Sequence, residues 1–307
     1  MPLLSVVVPA FNASSAIADT LQSVRTQGSD VEVIVVDDGS DDGGALASVL
    51  GRFPGVRLVT HDRNRGMCAA RNSGIEASTG NYVTILDADD RFAADWPEQF
   101  GRLLREWPES VNVSYVACRT ETGEITVDDP AFTGLLTLDD ILNERHSGEY
   151  LPIFRGDYIR KSRYADIGTR KSCGILSYIR FAQDAPFWVS NRVIRIYNAG
   201  RPGSVSSGWT APENARETVS CYAELFRQYG ELYARRAPRV YRTKMLRYAL
   251  YLSFARRPGA WAVWWRAAHW RCIKETAATF GLLLAGPNVS TTVVRLAKST
   301  GLVRRYG

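Results

Sequence analysis

Apolar and polar positions alternate in blocks along the first 120 residues. Leu4 to Phe11 is a nearly continuous apolar run containing Val6-Val7-Val8, the pattern of a strand covered on both faces. Ser14 or Ser15 can cap the helix that follows, with Ile17, Leu21 and Val24 on one face and Gly28 closing it. Val31 to Val36 reads as a second buried strand. A helix over 42–53, a strand at Val56–Thr60, a helix over 67–79 and a strand over 81–87 complete the series. Strand–helix alternation with short connections predicts a parallel sheet with right-handed crossovers. Ligands on such sheets gather at the carboxyl ends of the strands. The residues at those ends are Asn12, Asp37-Asp38 and Asp87-Ala88-Asp89.

Beyond residue 120 the periodicity breaks. Glu121-Thr122-Gly123-Glu124 reads as a hairpin turn, 128–175 as irregular, 176–192 as a helix in whole or part, and Val193–Tyr197 as a strand before a Gly-rich loop over 199–206. From 212 to 285 the pattern is helical, broken at Arg257-Pro258-Gly259. Thr276 to Val294 holds 19 residues without a charge, close to the length of a membrane span. Its Gly281, Gly286, Pro287 and threonines favour instead a buried or interfacial helix ending near Gly286-Pro287.

Charge divides the chain. Residues 225–307 hold 16 Lys and Arg against 2 acidic residues, whereas the remainder holds 22 against 30. An acidic front part is therefore joined to a basic tail, the polarity of a chain that meets a polyanion or an anionic membrane. The 5 cysteines are dispersed and never form a Cys-x-x-Cys. With no leader before the first strand, this points to a reducing, cytoplasmic setting. The 3 scattered histidines argue against a His-based metal site.

Candidate chemistry concentrates at the strand ends. Asp87-Ala88-Asp89-Asp90 closes the run Tyr82–Leu86. Clustered carboxylates there call for a divalent cation or a salt-bridging Arg. Asp37-Asp38-Gly39-Ser40 is either turn chemistry or a carboxylate poised to accept from a base or ribose. Arg71 lies on a helix whose Ala70, Gly74 and Ala77 form a small-residue face; its guanidinium suits a phosphate or one of the strand-end aspartates. Asp184 lies among apolar and aromatic residues. It is either a cap before Ala185-Pro186 or a partly desolvated general base.

Taken together, Ser5 to Asn12, Val35 to Ser40, Asn64 to Gly74 and Asp87 to Asp90 resemble glycosyltransferase family 2 in order and spacing. The resemblance is weaker over 160–207, where Gln183-Asp184 falls at the family's Glu-Asp pair and Arg201–Ser206 at a later loop. It implies a GT-A fold: a mostly parallel nucleotide-binding α/β sheet flanked by helices over 1–210, with a basic, Trp-rich helical region over 211–307. It implies an inverting transferase that moves a sugar from a nucleotide-diphosphate donor, a UDP-sugar favoured, to a hydroxyl of a glycan or lipid-linked acceptor in envelope or exopolysaccharide synthesis. Carried over, Pro9, Ala10, Phe11 and Asp38 would line the base pocket, and Arg71 would approach the base or diphosphate. Asp87 would touch the ribose or donor sugar, Asp89 would ligate Mg²⁺ or Mn²⁺, and Asp184 would be the base. A non-catalytic nucleotide-sugar-binding module is the alternative.

Other nucleotide chemistries lack their loops. No Gly-x-Gly-x-x-Gly or Gly-Lys-Ser/Thr loop follows the first strand, and its Pro9–Ser15 turn carries neither glycine nor a basic residue. In the tail, Trp261, Trp264, Trp265 and Trp270 stand among Arg256, Arg257, Arg266, Arg271 and Lys274. No nucleic-acid motif accompanies them. An anionic membrane surface contacted through 244–275, on the inner face of the cell membrane, is weighed against packing onto the catalytic domain.

Overall fold

A computed structural model of the chain describes residues 2–24, 30–42, 44–198 and 212–299; the Gly-rich loop over 199–206 lies outside them. The chain divides into two compact units, Met1–Leu138 with His146–Ala199, and Asp139–Arg145 with Gly200–Gly307.

In chain order the elements are β1 (Leu4–Ala10), α1 (Ile17–Val24), β2 (Val31–Asp37), α2 (Ala45–Leu50), β3 (Arg57–Thr60), α3 (Met67–Ala77) and β4 (Tyr82–Ile85). Then come β5 (Arg91–Phe92), α4 (Trp96–Glu106), β6 (Val113–Thr120), β7 (Gly134–Leu136), α5 (Leu138–Leu142), β8 (Tyr150–Arg155), α6 (Gly156–Ser162), α7 (Gly174–Asp184) and β9 (Phe187–Tyr197). The strands of the first unit form one sheet in the order β3-β2-β1-β4-β8-β6-β9-β5, with β7 on β9. β1 pairs in parallel with β2 and β4, and β2 with β3. β8 runs antiparallel between β4 and β6, and β9 is parallel to β6. The sheet is thus mixed, as helices flank a parallel half joined to a largely antiparallel one.

Two sequence expectations change. The helix expected over 176–192 stops at Asp184, because Ala185 is held extended ahead of Pro186 and the residue before a proline is disfavoured in the α region. The segment over 128–175, expected to be irregular, supplies β7, α5, β8 and α6. Its central strand β8 is buried on both faces and so carries no alternation to read.

The parallel half packs tightly. Val6, Val7 and Val8 are fully buried, and α3 lies so close that a Cβ on Gly74 would meet Val7 Cγ1 at 2.2 Å. At the edge where the parallel strands begin, Glu32 gathers four donors. It accepts from Ser5 Oγ at 2.6 Å, the Thr79 N–H at 2.9 Å, Thr79 Oγ1 at 3.3 Å and Arg57 Nη1 at 2.8 Å.

The second unit continues with α8 (Pro212–Arg236), α9 (Pro238–Phe254), α10 (Ala260–Ala267), a 3₁₀ turn (Trp270–Cys272) and α11 (Ile273–Ser299). Its core joins Leu246, Ala249 and Leu252 of α9 to Val263 and Trp264 of α10 and Leu283 of α11. Lys244 reaches Glu144 at 2.5 Å, and Arg236 reaches Asp139 at 2.7 Å. The expected helix end at Gly286-Pro287 is instead a kink, with Gly286 at φ 77° and helical backbone resuming after it. Proline is tolerated in a first helical turn, where its missing N–H costs nothing.

Candidate active site

The parallel strands β1, β2 and β4 end together at one edge of the sheet, with β1 in the middle. Strand order reverses beside β1, the position where open sheets form a crevice. Register pairs Ala10 with Asp37, and Val7 with Ile85, so Pro9 stands near the level of Asp87. Ala10 is buried in the core, whereas Phe11 leaves the strand 46% exposed.

The turns after β1 and β2 are stitched to each other. Asn12 donates its N–H to Ser40 Oγ at 3.0 Å and its amide to Asp41 Oδ1 at 2.6 Å, while the Asp41 N–H donates back to Asn12 Oδ1 at 3.0 Å. Asp37 accepts the Ser40 N–H at 2.9 Å. Asp38 turns inward and is only 4% exposed. Its Oδ1 accepts from the Arg65 N–H at 2.9 Å and lies 2.6 Å from His61 Nδ1; its Oδ2 accepts the Gly66 N–H at 2.8 Å. His61 Nε2 in turn lies 2.9 Å from Ser73 Oγ on α3. Asp38 therefore clamps the loop that starts α3 onto the end of β2. Gly39 permits this turn: its φ is 71°, and a Cβ would meet the Arg63 backbone at 2.3 Å.

Arg71 and Asp87 are brought together. Arg71 Nη2 lies 3.5 Å from Asp87 Oδ1, Nη1 donates to Ser172 Oγ at 3.4 Å, and the guanidinium stands 5.4 Å from the Tyr164 ring. Its Nε is buried without a hydrogen-bond partner. Burial opposes its charge, but Asp87 together with Tyr164, Tyr178 and Cys68 outweighs that and holds the guanidinium well above its usual range. Asn72 fixes Tyr164 from both sides, donating to its carbonyl at 2.9 Å and accepting its N–H at 2.7 Å.

Asp90 is buried and meets Arg195 Nη1 at 3.3 Å, while its Oδ1 accepts the Asn198 N–H at 2.9 Å. Arg195 also reaches Glu149 at 2.9 Å. Burial pushes the Asp90 carboxyl up, and Asp87 and Asp89 push the same way against Arg195. Asp87, Asp89 and Asp90 thus lie in one another's field. A set of hard carboxylate oxygens with excess negative charge fits Mg²⁺ or Mn²⁺, which bind one or two carboxylates and complete their shells with phosphate and water. An all-protein cage is not needed for that, and no group of three His, Cys, Asp or Glu forms one among the described residues.

Asp184 does not join this group. The strap from Arg163 to Cys173 climbs α3 from its last turn, where Arg163 lies 3.5 Å from Glu76, to its first, where the Met67 N–H donates to the Arg170 carbonyl. α7 starts there and runs back down for 11 residues, about 16 Å at 1.5 Å per residue. Asp184 ends that helix just before β9, whose first residues pair with the start of β6. There it accepts from Tyr158 Oη at 2.8 Å, on the α6 helix that begins beside Asn81. The carboxylate expected to be the base is therefore at the amino edge of the parallel strands, opposite Asp38 and Asp87. Ala185-Pro186 misled because it ends a descending helix rather than opening one.

Sequence reasoning passed over His61, Tyr164, Ser172 and Arg195. His61 had a signal, since it directly follows a strand that ends at this edge. Arg195 sits inside the strand pattern Val193–Tyr197 and shows itself only through its contacts.

A mixed sheet flanked by helices, with carboxylates at its switch point, defines an open-sheet α/β protein. Glycosyl transferase family 2 matches residues 5–169, more than half of the chain, and the chain belongs to that family. Solved structures show the GT-A fold. S. aureus TarS in complex with UDP-GlcNAc is similar at a TM-score of 0.56 and 17% identity, over 84% of this chain and 74% of that one. The mannosyltransferase PcManGT from Pyrobaculum calidifontis, in complex with GDP-Man and Mn²⁺, is similar at a TM-score of 0.53 and 20% identity, over 96% and 87%. In sequence the chain is 25% identical over 234 residues to the GalNAc(5)-diNAcBac-PP-undecaprenol beta-1,3-glucosyltransferase of Campylobacter jejuni, over 73% of each chain. Other relatives belong to amylovoran and succinoglycan biosynthesis. The first relatives it matches are covered over 39% to 56% of their length.

Proposed function

We propose that this chain transfers a sugar from a nucleotide-diphosphate donor, with a UDP-sugar favoured, to a hydroxyl of a glycan or lipid-linked acceptor, inverting the anomeric centre. Envelope or exopolysaccharide synthesis, with the chain cytoplasmic and peripheral on the inner face of the cell membrane, is the setting. The observation that carries the reading is the convergence of Phe11, the Asp38-clamped loop, the Arg71–Asp87 pair and Asp89 at one strand edge. Structures of the same fold with UDP-GlcNAc and with GDP-Man and Mn²⁺ support it.

In this reading the base stacks near Pro9, Ala10 and Phe11 in a pocket whose floor Asp38 shapes through the Arg65-Gly66 loop. Arg71 faces the diphosphate while Asp87 keeps its fork oriented and takes the ribose or sugar hydroxyls. Asp89 would hold Mg²⁺ or Mn²⁺, and the ion when bound would supply neutralisation of charge on the diphosphate. The acceptor oxygen forms its bond to the anomeric carbon as the bond to the diphosphate oxygen breaks, and a carboxylate takes the hydroxyl proton.

Asp184 is not proposed for that proton because it lies at the other edge. We assign it to Asp166, on the strap beside the first turn of α3, where its charge raises the Cys68 thiol after burial has done so. Its Oδ1 accepts the Gly168 N–H at 2.9 Å, whereas Glu149 is tied to Arg195. The first turn of α7 carries no acidic residue, and this favours one second reading, a module that binds donor without transferring it.

A panel of UDP-, GDP- and dTDP-sugars with Mg²⁺ or Mn²⁺, read by released nucleoside diphosphate and by thermal shift, separates the two. Metal-dependent turnover abolished by Asp89→Ala is the expected result. Tight donor binding with no release under any acceptor would select the binding module.

A further inference from the structure

The second unit wears apolar side chains on its outside. Along α11 the exposed positions include Ile273, Ala277, Phe280 and Leu284, spaced by four, three and four residues, so they form one stripe. Ile273 is 65% and Leu284 63% exposed. The adjoining side of the same helix, ahead of its kink, buries Thr279 and Leu283. The exposed stripe is thus hydrocarbon throughout, where a surface helix usually turns polar side chains outward. Trp270 in the preceding turn and Trp265 in α10 are 71% and 69% exposed.

Charge stands around one end of this stripe. Arg266, Arg271 and Lys274 are all exposed, and Arg271 lies 5.2 Å from the Trp270 ring. Tryptophans beside cations at the head of an apolar stripe match the layering of a bilayer surface, with phosphate outermost and hydrocarbon beneath. A second copy of the chain docking through this face would bring like charges together, which disfavours it.

Length and composition alone would let Trp270–Val294 cross a membrane. Its packing argues otherwise. The Trp264 indole donates to Thr279 Oγ1 at 2.9 Å, Leu283 belongs to the core with α9 and α10, and the helix kinks at Gly286. Only one side is available to lipid, the geometry of a helix lying in the interface.

We propose that this face, from Trp265 to Leu284, docks flat on a bilayer containing anionic phospholipid. The inference gives the peripheral placement proposed above a defined surface, and it rests on that reading. Trp264, for which the sequence left a membrane surface and packing both open, belongs to the core and takes no part.

The test is co-sedimentation of the full chain with vesicles of phosphatidylcholine alone or mixed with phosphatidylglycerol. Binding to the mixed vesicles is expected, with little to phosphatidylcholine. Replacing Arg266, Arg271 and Lys274 by Gln should weaken it about 100-fold, at about fivefold per basic side chain near an anionic surface. Trp270→Ser with Leu284→Ser should abolish it, while the melting temperature and donor binding stay unchanged. No binding to mixed vesicles, equal binding to both, or full retention by either variant would overturn the proposal. So would a dimer in sedimentation that Trp270→Ser and Leu284→Ser dissolve. Because none of these readouts uses transfer, an inactive enzyme that still binds vesicles refutes the catalytic reading alone.

Discussion

Tyr158 Oη donates to Asp184 Oδ2 at 2.8 Å, at the edge of the sheet where the parallel strands begin. The same contact that satisfies Asp184 fixes it about a helix length from Arg71, since α7 begins beside Ser172 and ends here. A general base must reach the proton it removes, so its place in the fold outranks its place in a sequence motif.

Conservative amide substitutions separate the two carboxylates. Asp166→Asn should lower kcat by about 10²–10⁴, the usual worth of a positioned base, with donor affinity retained. Asp184→Asn should leave kcat within a few-fold. Steady-state kinetics with isothermal titration of the donor checks both, and the reverse pattern would restore Asp184.

His61→Phe removes the imidazole between Asp38 and Ser73. Asp38 would keep its two backbone donors but lose its side-chain partner in a buried setting, costing about 1–3 kcal/mol. Urea denaturation should show that loss. Donor affinity should fall as well, because the Arg65-Gly66 loop is held through the same carboxylate.

Arg71→Lys keeps the charge and loses the fork that spans Asp87 and Ser172. A charge-assisted hydrogen bond is worth about 1.5–3 kcal/mol, so donor Kd should rise roughly 10- to 100-fold. Titration with the nucleoside diphosphate, which lacks the sugar, should show most of the same loss if Arg71 faces the diphosphate.

Acid should weaken the amino edge of the sheet through Glu32. Burial alone would raise its carboxyl, but hydrogen bonds from Ser5, the Thr79 N–H and Arg57 pull it below its ordinary 4.5. The folded pKa is thus below the unfolded one. Its contribution to stability is therefore complete above the unfolded value and lost as pH falls through the folded one. Thermal melts of Glu32→Gln should lie below wild type at neutral pH, and the gap should close below about pH 4.

The acidic strand ends were legible because they interrupt strongly apolar runs, and runs such as Val6-Val7-Val8 have few other structural solutions. The 11-residue α3 helix was legible through its small-residue face, which Gly74 needs in order to pack on Val7. Between 128 and 175 the signal failed, since β8 is buried on both faces and pairs with strands distant in sequence. The tail's tryptophans were equally opaque: Trp264 and Trp265 are neighbours, yet one is 6% and the other 69% exposed.

By itself the sequence determined the parallel half of the sheet, the aspartates at its carboxyl edge, the family, and the basic character of the tail. Those features are local, written in periodicity and spacing. The tertiary structure decided which side chains meet. It paired Arg71 with Asp87, buried Asp38 against His61, gave Asp90 to Arg195, sent Asp184 to the far edge and turned Trp270 outward. Each outcome depends on the direction in which a distant element returns across the sheet or bundle, and chain direction over such distances is set by packing rather than by local pattern.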